Sequence, residues 1–356
     1  MDLSTNKHVE WDIGTAYDFF ISLWALHEPE HLGLRGSWAA GVRSRLPTAE
    51  REILQRATPM FWPLPWVYSL PEPKDVATAL AALRSMSPEE RLFATIPSVS
   101  EPIAQIFRAV AHRGSWNDAE LTAIIEEMTG GDFKKHSPAS IRKEAGEFLD
   151  LWADPFHKTE GLLSAYECYQ EVFFAEEEVR IRPALEAGLA KAKALAAQVD
   201  SWDKLLEELS QGVRLVKDWQ GKTVVLAPSY WSTPLALMAD MGPNKMLFMF
   251  GARPPEESLI PGEVVPDALH QALKALADPT RLRILRYLTD EPLTPAELAR
   301  RLRLRSPTVI HHLDALRLAR LVIVTLDAES KRYAVRPNAV ADVFDLLNHF
   351  LIAREG

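Results

Sequence analysis

LADPTRLRILRYL (276–288), TPAELARRLRLRSPTVIHHLDALRLARLV (294–322) and VTLDAESKRY (324–333) decide how this 356-residue chain is read. In the first run Pro279 stands where a helix starts, since its missing N–H is an orphan there anyway. Leu282, Ile284, Leu285 and Leu288 follow at helical spacing, and upstream Leu269, Leu273 and Leu276 form a second apolar stripe. Thr294-Pro295-Ala296-Glu297 is a capping box with proline at the first helical position. After the short turn LRLR, Ser306 is expected to cap another helix, again with proline following, whose Val309, Leu313 and Leu316 face inward. LVIVTLD and KRYAVRP then predict a hairpin around Ala328-Glu329-Ser330.

Two short helices joined this way, the second heading outward, form a helix-turn-helix, and the hairpin would be its wing. The second helix is the expected reader of double-stranded DNA. On it Thr308 and His311 are placed to reach base edges and Ser306 to meet a phosphate, with His312 partly turned toward the core. Arg303 and Arg305 in the turn, and Arg317, are candidate phosphate clamps. Lys331 and Arg332 on the hairpin, and Thr294 at the start of the preceding helix, complete the candidate set. A metal site on His311 and His312 is disfavoured, because adjacent residues face different sides of a helix.

These motifs, in this order, resemble the ArsR-type winged helix-turn-helix repressors. The resemblance implies a homodimer whose two reading helices meet an inverted repeat, with half-sites roughly 34–36 Å apart. It also places the reading helix at Ser306–Leu318. Metal-sensing members carry a cysteine pair where this chain has Leu298–Leu304 and no cysteine, so thiolate metal sensing is not expected. Asp345 and His349, one turn apart on the last helix, lack the second pair of ligands that other members use and are expected to make only a surface contact. The N-terminal part is similar to the poorly characterised domain attached to some ArsR-type regulators, chiefly through GKTVVLAPSYW (221–231).

Composition supports a division of labour. Residues 267–356 hold 14 Lys+Arg against 11 Asp+Glu, a balance of +3, which leaves 26 against 38, or −12, for the first 266. An acidic body with a basic end suits a protein whose larger part avoids a polyanion. The one cysteine, Cys168, excludes an intrachain disulfide and fits the cytoplasm. No apolar run approaches a membrane span, and neither a cofactor motif nor a catalytic constellation stands out.

The expected architecture is mainly α (α+β). Residues 1–252 form a helical regulatory, effector-binding or dimerising domain with a small antiparallel sheet. Residues 253–266, proline-rich and aperiodic, form a linker, and 267–356 the winged helix-turn-helix. Helical patterns run over 15–26, 37–46, 48–57, 75–86, 88–96, 115–128, 137–152, 160–198 and 201–209, with a break or kink at Arg182-Pro183. Strands are expected at KTVVLAPSYW and KMLFMFGAR, with HVEWDI as a third. All ten tryptophans precede the linker. Most should fill core, but Phe61, Trp62, Trp66 and Tyr68 lie on proline-broken backbone and, with Trp231, suggest a pocket for a small hydrophobic effector. The rival functions are an N-terminal enzyme whose winged domain makes protein contacts, and a ligand-free architectural regulator.

Overall fold

The computed structural model describes residues 8–57, 65–96, 99–129, 138–215, 222–327 and 330–352. Their contacts gather into two compact units. One comprises Met1–Ile13, Glu28–Ala39 and Val179–Gly356, the other Gly14–His27 and Ala40–Glu178. This differs from the expected boundary, because Arg253 and the stretch after it lie inside the first unit.

The elements in chain order are β1 (Val9–Trp11), α1 (Thr15–His27), α2 (Gly36–Arg43), α3 (Thr48–Ala57), α4 (Val76–Ser85), α5 (Pro88–Thr95), α6 (Glu101–Arg113), α7 (Asp118–Thr129), α8 (Pro138–Ala153) and α9 (Pro155–Tyr169). A π-helical turn, Gln170–Phe174, joins α9 to α10 (Ala175–Ala196). Then come α11 (Trp202–Leu209), β2 (Val213–Leu215), β3 (Thr223–Ser229), β4 (Leu237–Asp240), β5 (Lys245–Gly251), α12 (Asp267–Leu276), α13 (Pro279–Asp290), α14 (Pro295–Leu302), α15 (Ser306–Leu318), β6 (Val322–Asp327), β7 (Ser330–Val335) and α16 (Ala339–Ile352).

The second unit is helical and packed largely by aromatic rings. Phe19 of α1 meets Phe20, Tyr166, Tyr169 and Phe174 with centroids 5.0–5.9 Å apart, and Phe107 of α6 stacks on Trp152 of α8 at 4.4 Å. Such pairs add about 0.5–1.5 kcal/mol each to the burial of their area. The helix α6 was not anticipated from sequence, although Ile103, Phe107 and Val110 bury one face and Gly114, at φ 72°, closes its end. Pro183 does not break the helical run. It leaves the Val179 carbonyl without an N–H donor four residues on. Val179 itself is 75% exposed.

In the first unit the strand order is β1-β3-β5-β4. β1 and β3 run parallel, as do β3 and β5, and only β4 and β5 are antiparallel. The small antiparallel sheet expected from sequence is therefore a mixed one. The reason is legible afterwards: β3 and β5 are almost wholly buried apolar runs, the signature of parallel strands covered on both faces, rather than alternating ones. The α10 residues Ala192 and Ala196, with Leu205, Leu206 and Leu209 of α11, pack on Val224, Leu226, Phe248 and Phe250.

The C-terminal elements form a second core in the same unit. Leu269 and Ala272 (α12), Ile284 and Leu288 (α13), Leu298 and Leu302 (α14), and Val309, Leu313 and Leu316 (α15) are all buried, as are Tyr333 of β7 and Val343 of α16. Two members of the expected stripes are not, since Leu273 and Leu282 stay 40% and 48% exposed. The β6–β7 hairpin is antiparallel and is extended by β2, which pairs parallel to β6. Gly212, at φ 123°, makes this junction. Its carbonyl accepts from Val324 N–H at 2.7 Å, and a Cβ there would lie 3.3 Å from the Val322 carbonyl oxygen.

The 253–266 stretch carries no regular element but is held firmly. Arg253 is buried, its guanidinium 3.0 Å from Asp267 and from the Thr233 carbonyl. Asp267 also accepts from Ser258 Oγ and from Leu259 N–H. The first residue of α12 is thus pinned to the end of the mixed sheet.

Candidate nucleic-acid interface

The helix pair α14–α15 is built by local rules. Thr294 Oγ1 accepts from Glu297 N–H at 3.3 Å, and Glu297 Oε2 accepts from Thr294 N–H at 2.7 Å, a complete capping box. These bonds hold the Glu297 carboxyl below its ordinary value, the backbone N–H of Thr294 contributing most. Thr294 is therefore committed to the cap, and its hydroxyl is engaged within the chain. Arg303 ends α14 at φ 57°, and Leu304 N–H closes on the Ala299 carbonyl at 3.0 Å. A non-glycine residue there costs roughly 1–2 kcal/mol.

The next helix begins one residue differently from expectation. Ser306 is the first helical residue of α15, Arg305 is its cap, and no side chain caps it. An arginine side chain has no acceptor to offer, so the first-turn N–H groups stay open to an outside acceptor such as a phosphate oxygen. Arg303, Arg305, Ser306, Thr308 and His311 are all exposed around this end. Neither Arg303 nor Arg305 makes an ion pair among the described residues. A shallow concavity between the helices is lined by Ala296, Ala299, Arg300, Arg303, Leu304, Arg305, Ser306 and Pro307.

Other candidates sit differently. His312 is half-buried, with Nδ1 unpartnered. Burial pushes its pKa down, opposed by the charge of Asp278 and reinforced by Arg281 and His311. Arg317 is half-buried, its Nε also unpartnered, and its charge acts on Tyr333. Lys331 is exposed on β7. Arg332 is not free at the hairpin tip as expected. Its Nη1 donates to the Pro292 carbonyl at 3.3 Å and lies 3.6 Å from Glu297, which ties it back to the start of α14.

The described aromatic candidates are divided between the two units. Phe61 and Trp62 lie outside the described residues. Trp66 packs edge-on to Phe20 at 6.0 Å, and Tyr68 receives the ammonium of Lys74 over its ring at 4.7 Å, both in the second unit. Trp231, in the first unit, is fully buried and stacks on Trp38 at 6.2 Å. Cys168 is half-buried, and burial, with Glu50 and Glu171, pushes its thiol up, away from reactivity.

A family model described as a helix-turn-helix domain matches residues 276–325, the stretch that contains α13 to α15. The HTH-type transcriptional regulator CmtR of Mycobacterium bovis is 37% identical over 91 residues, covering 26% of this chain and 77% of that protein. This chain belongs to the HTH-type transcriptional regulators. The regulator Rv2034 of Mycobacterium tuberculosis is 38% identical over 80 residues, 22% of this chain and 75% of its own. Among solved structures, reduced HlyU of Vibrio cholerae is similar at 32% identity over 24% of this regulator and 90% of that chain, with a TM-score of 0.20. NolR of Sinorhizobium fredii is similar at 29% over 24% and 87%, also at 0.20. These likenesses cover about a quarter of the regulator.

Proposed function

We propose that this regulator is an ArsR-type winged helix-turn-helix repressor, cytoplasmic, that binds an inverted-repeat operator in double-stranded DNA as a homodimer and catalyses no reaction. The observation that carries the reading is the start of α15. Its N-terminus is uncapped by any side chain, flanked by the exposed Arg303 and Arg305, and followed by the exposed Thr308 and His311. That is a phosphate-binding end leading into a base-reading face. The β6–β7 hairpin acts as the wing, with Lys331 as its contact to the DNA backbone.

Support for two copies comes from α16. Its Val340, Phe344, Leu351 and Ile352 are 43–76% exposed, and α12, which packs on it, exposes Leu273. A second copy covering that face pairs two reading helices for the two half-sites. Control is assigned to a small hydrophobic effector of the tryptophan-rich N-terminal part rather than to a thiolate-bound metal, for which the one cysteine, Cys168, is too few. Trp231 favours no hydrophobic pocket, since its ring fills core.

A gel shift with duplex DNA from upstream of the coding region tests the reading. Sequence-selective binding that weakens in His311→Ala and Arg303→Ala is expected. Binding indifferent to sequence and to both substitutions would refute it.

A further inference from the structure

The β6–β7 hairpin has a neighbour on each side. Leu293, just ahead of α14, pairs with Tyr333 of β7: its N–H donates to the Tyr333 carbonyl at 2.9 Å and its carbonyl accepts from Tyr333 N–H at 2.8 Å. The other edge, on β6, is covered by β2, which arrives from α11 and not from the helix-turn-helix stretch. The pairing is parallel and runs in register from Val213 against Val324 to Leu215 against Leu326. It therefore covers the half of β6 that leads to the hairpin turn. Across the hairpin the same rows continue to Tyr333 and Lys331. The last residue of β2 thus shares a row with the lysine proposed to meet the DNA backbone.

The joint between α11 and β2 is short and closely bonded. Gln211, at φ 55°, and Gly212, at φ 123°, turn the chain. Their N–H groups close on the Glu208 and Glu207 carbonyls, both at 3.2 Å. Ser210 Oγ accepts from Val213 N–H at 2.9 Å, and the Arg214 guanidinium reaches back to Glu207 at 2.7 Å. Val213 packs on the C-terminal core, whereas Leu205, Leu206 and Leu209 of α11 are buried with the strands of the mixed sheet. Bonds on this scale leave the two elements little independent freedom, so β2 moves with α11. A two-stranded hairpin alone is marginal in water, and a third strand with an apolar face supplies what it lacks.

We propose that β2 is a strap that fixes the posture of the β6–β7 hairpin, so that the seating of α11 on the mixed sheet governs how the hairpin meets its target. The consequence for DNA rests on the DNA-binding reading above. With β2 released, the row that carries Lys331 is left two strands wide, and its hold on the backbone weakens. Whatever shifts α11 on the sheet then alters DNA affinity without touching α15.

Amide hydrogen exchange over residues 322–327 of the full chain, without DNA, tests the strap. Competition binding to an operator duplex tests its consequence. Arg214→Pro removes the N–H that the parallel register turns toward β6, whereas Arg214→Ala keeps it and loses only the exposed pair with Glu207. Exchange should quicken at least about ten-fold in Arg214→Pro and stay near the parent in Arg214→Ala. Leu206→Val, which trims the buried face of α11, should quicken it by about three-fold. Operator affinity should fall by about ten-fold in Arg214→Pro, and adding Lys331→Ala there should cost less than it does in the parent, because both act on one contact. If Arg214→Pro does not fold, Gly212→Ala takes its place, since a Cβ at φ 123° would lie 3.3 Å from the Val322 carbonyl oxygen. Parental exchange in the strap variant that folds overturns the proposal, and parental exchange in Leu206→Val overturns control through α11. Quickened exchange with undiminished operator affinity overturns it as well. A parent with no operator affinity refutes the DNA-binding reading instead, and exchange alone then decides the strap.

Discussion

Helices α15 and α16 stand on the same core and turn opposite chemistry outward. α15 buries Val309, Leu313 and Leu316 and exposes Thr308 and His311 beside Arg303 and Arg305. α16 buries only Ala339 and Val343 in that core and exposes Val340, Phe344, Leu351 and Ile352. A polar face flanked by cations invites a polyanion, whereas an uncovered apolar face invites another apolar face. On the proposed function, two helices in one unit divide the work between reading and pairing, and each half of the contrast can be broken separately.

The largest effect should come from the core the two share. Leu313→Ala leaves a cavity beneath both helices and should destabilise the fold by about 2–5 kcal/mol, read by denaturant unfolding. Unchanged stability would mean the buried face of α15 does not hold the unit together. Next is the pairing face. Phe344→Asp, on a side chain already 54% exposed, should leave monomer stability nearly intact. It should instead weaken self-association by at least about 30-fold, the scale of a 2 kcal/mol hot spot, in sedimentation equilibrium. A variant that associates as well as the parent would remove α16 from the pairing role.

The reading face should separate into two kinds of loss. His311→Ala should cost about 1–3 kcal/mol on the preferred operator and little on random duplex, because base contacts specify. Arg303→Ala should weaken both equally and lower the slope of log affinity against log salt by about 1, because phosphate contacts only position. Competition binding at several salt concentrations distinguishes them, and the same pattern for both residues would collapse the distinction.

How much of this was visible in the sequence depended on how local its cause was. The capping box at Thr294–Glu297 and the buried spacing Val309–Leu313–Leu316 are set within one helix turn or two, and they appear in the structure as read. The mixed sheet was misjudged because pairing between β3 and β5 depends on where β4 folds back, which no window of the sequence contains. The 253–266 stretch looks like a linker because it lacks a period. Its attachment is tertiary, through Arg253, Ser258 and Leu259 to Asp267. Arg332 carries the same lesson in the candidate site: its strand position did not reveal that Glu297 and the Pro292 carbonyl lie within its reach. The exposed apolar face of α16 left no mark either, since a helix rich in leucine and phenylalanine reads as buried.

The smallest effect concerns His312, which sits between the two faces of α15 and near Asp278, the residue that caps α13. Burial holds its folded pKa below 6.5, its value when unfolded, because the imidazolium would lose water without gaining a close acceptor. The unfolded chain therefore binds the extra proton more readily than the folded one, and stability rises with pH across this window. The contribution is complete above about 6.5 and is lost as pH falls through the lower folded value. Melting temperature should accordingly decline on acidification below pH 6.5 in the parent, and His312→Gln, neutral throughout, should decline less between that pH and the carboxylate range. His311, exposed one residue away, serves as the control. If His311→Gln flattens the profile and His312→Gln does not, the inward turn of His312 is wrong and the polar face of α15 extends one residue further round the helix.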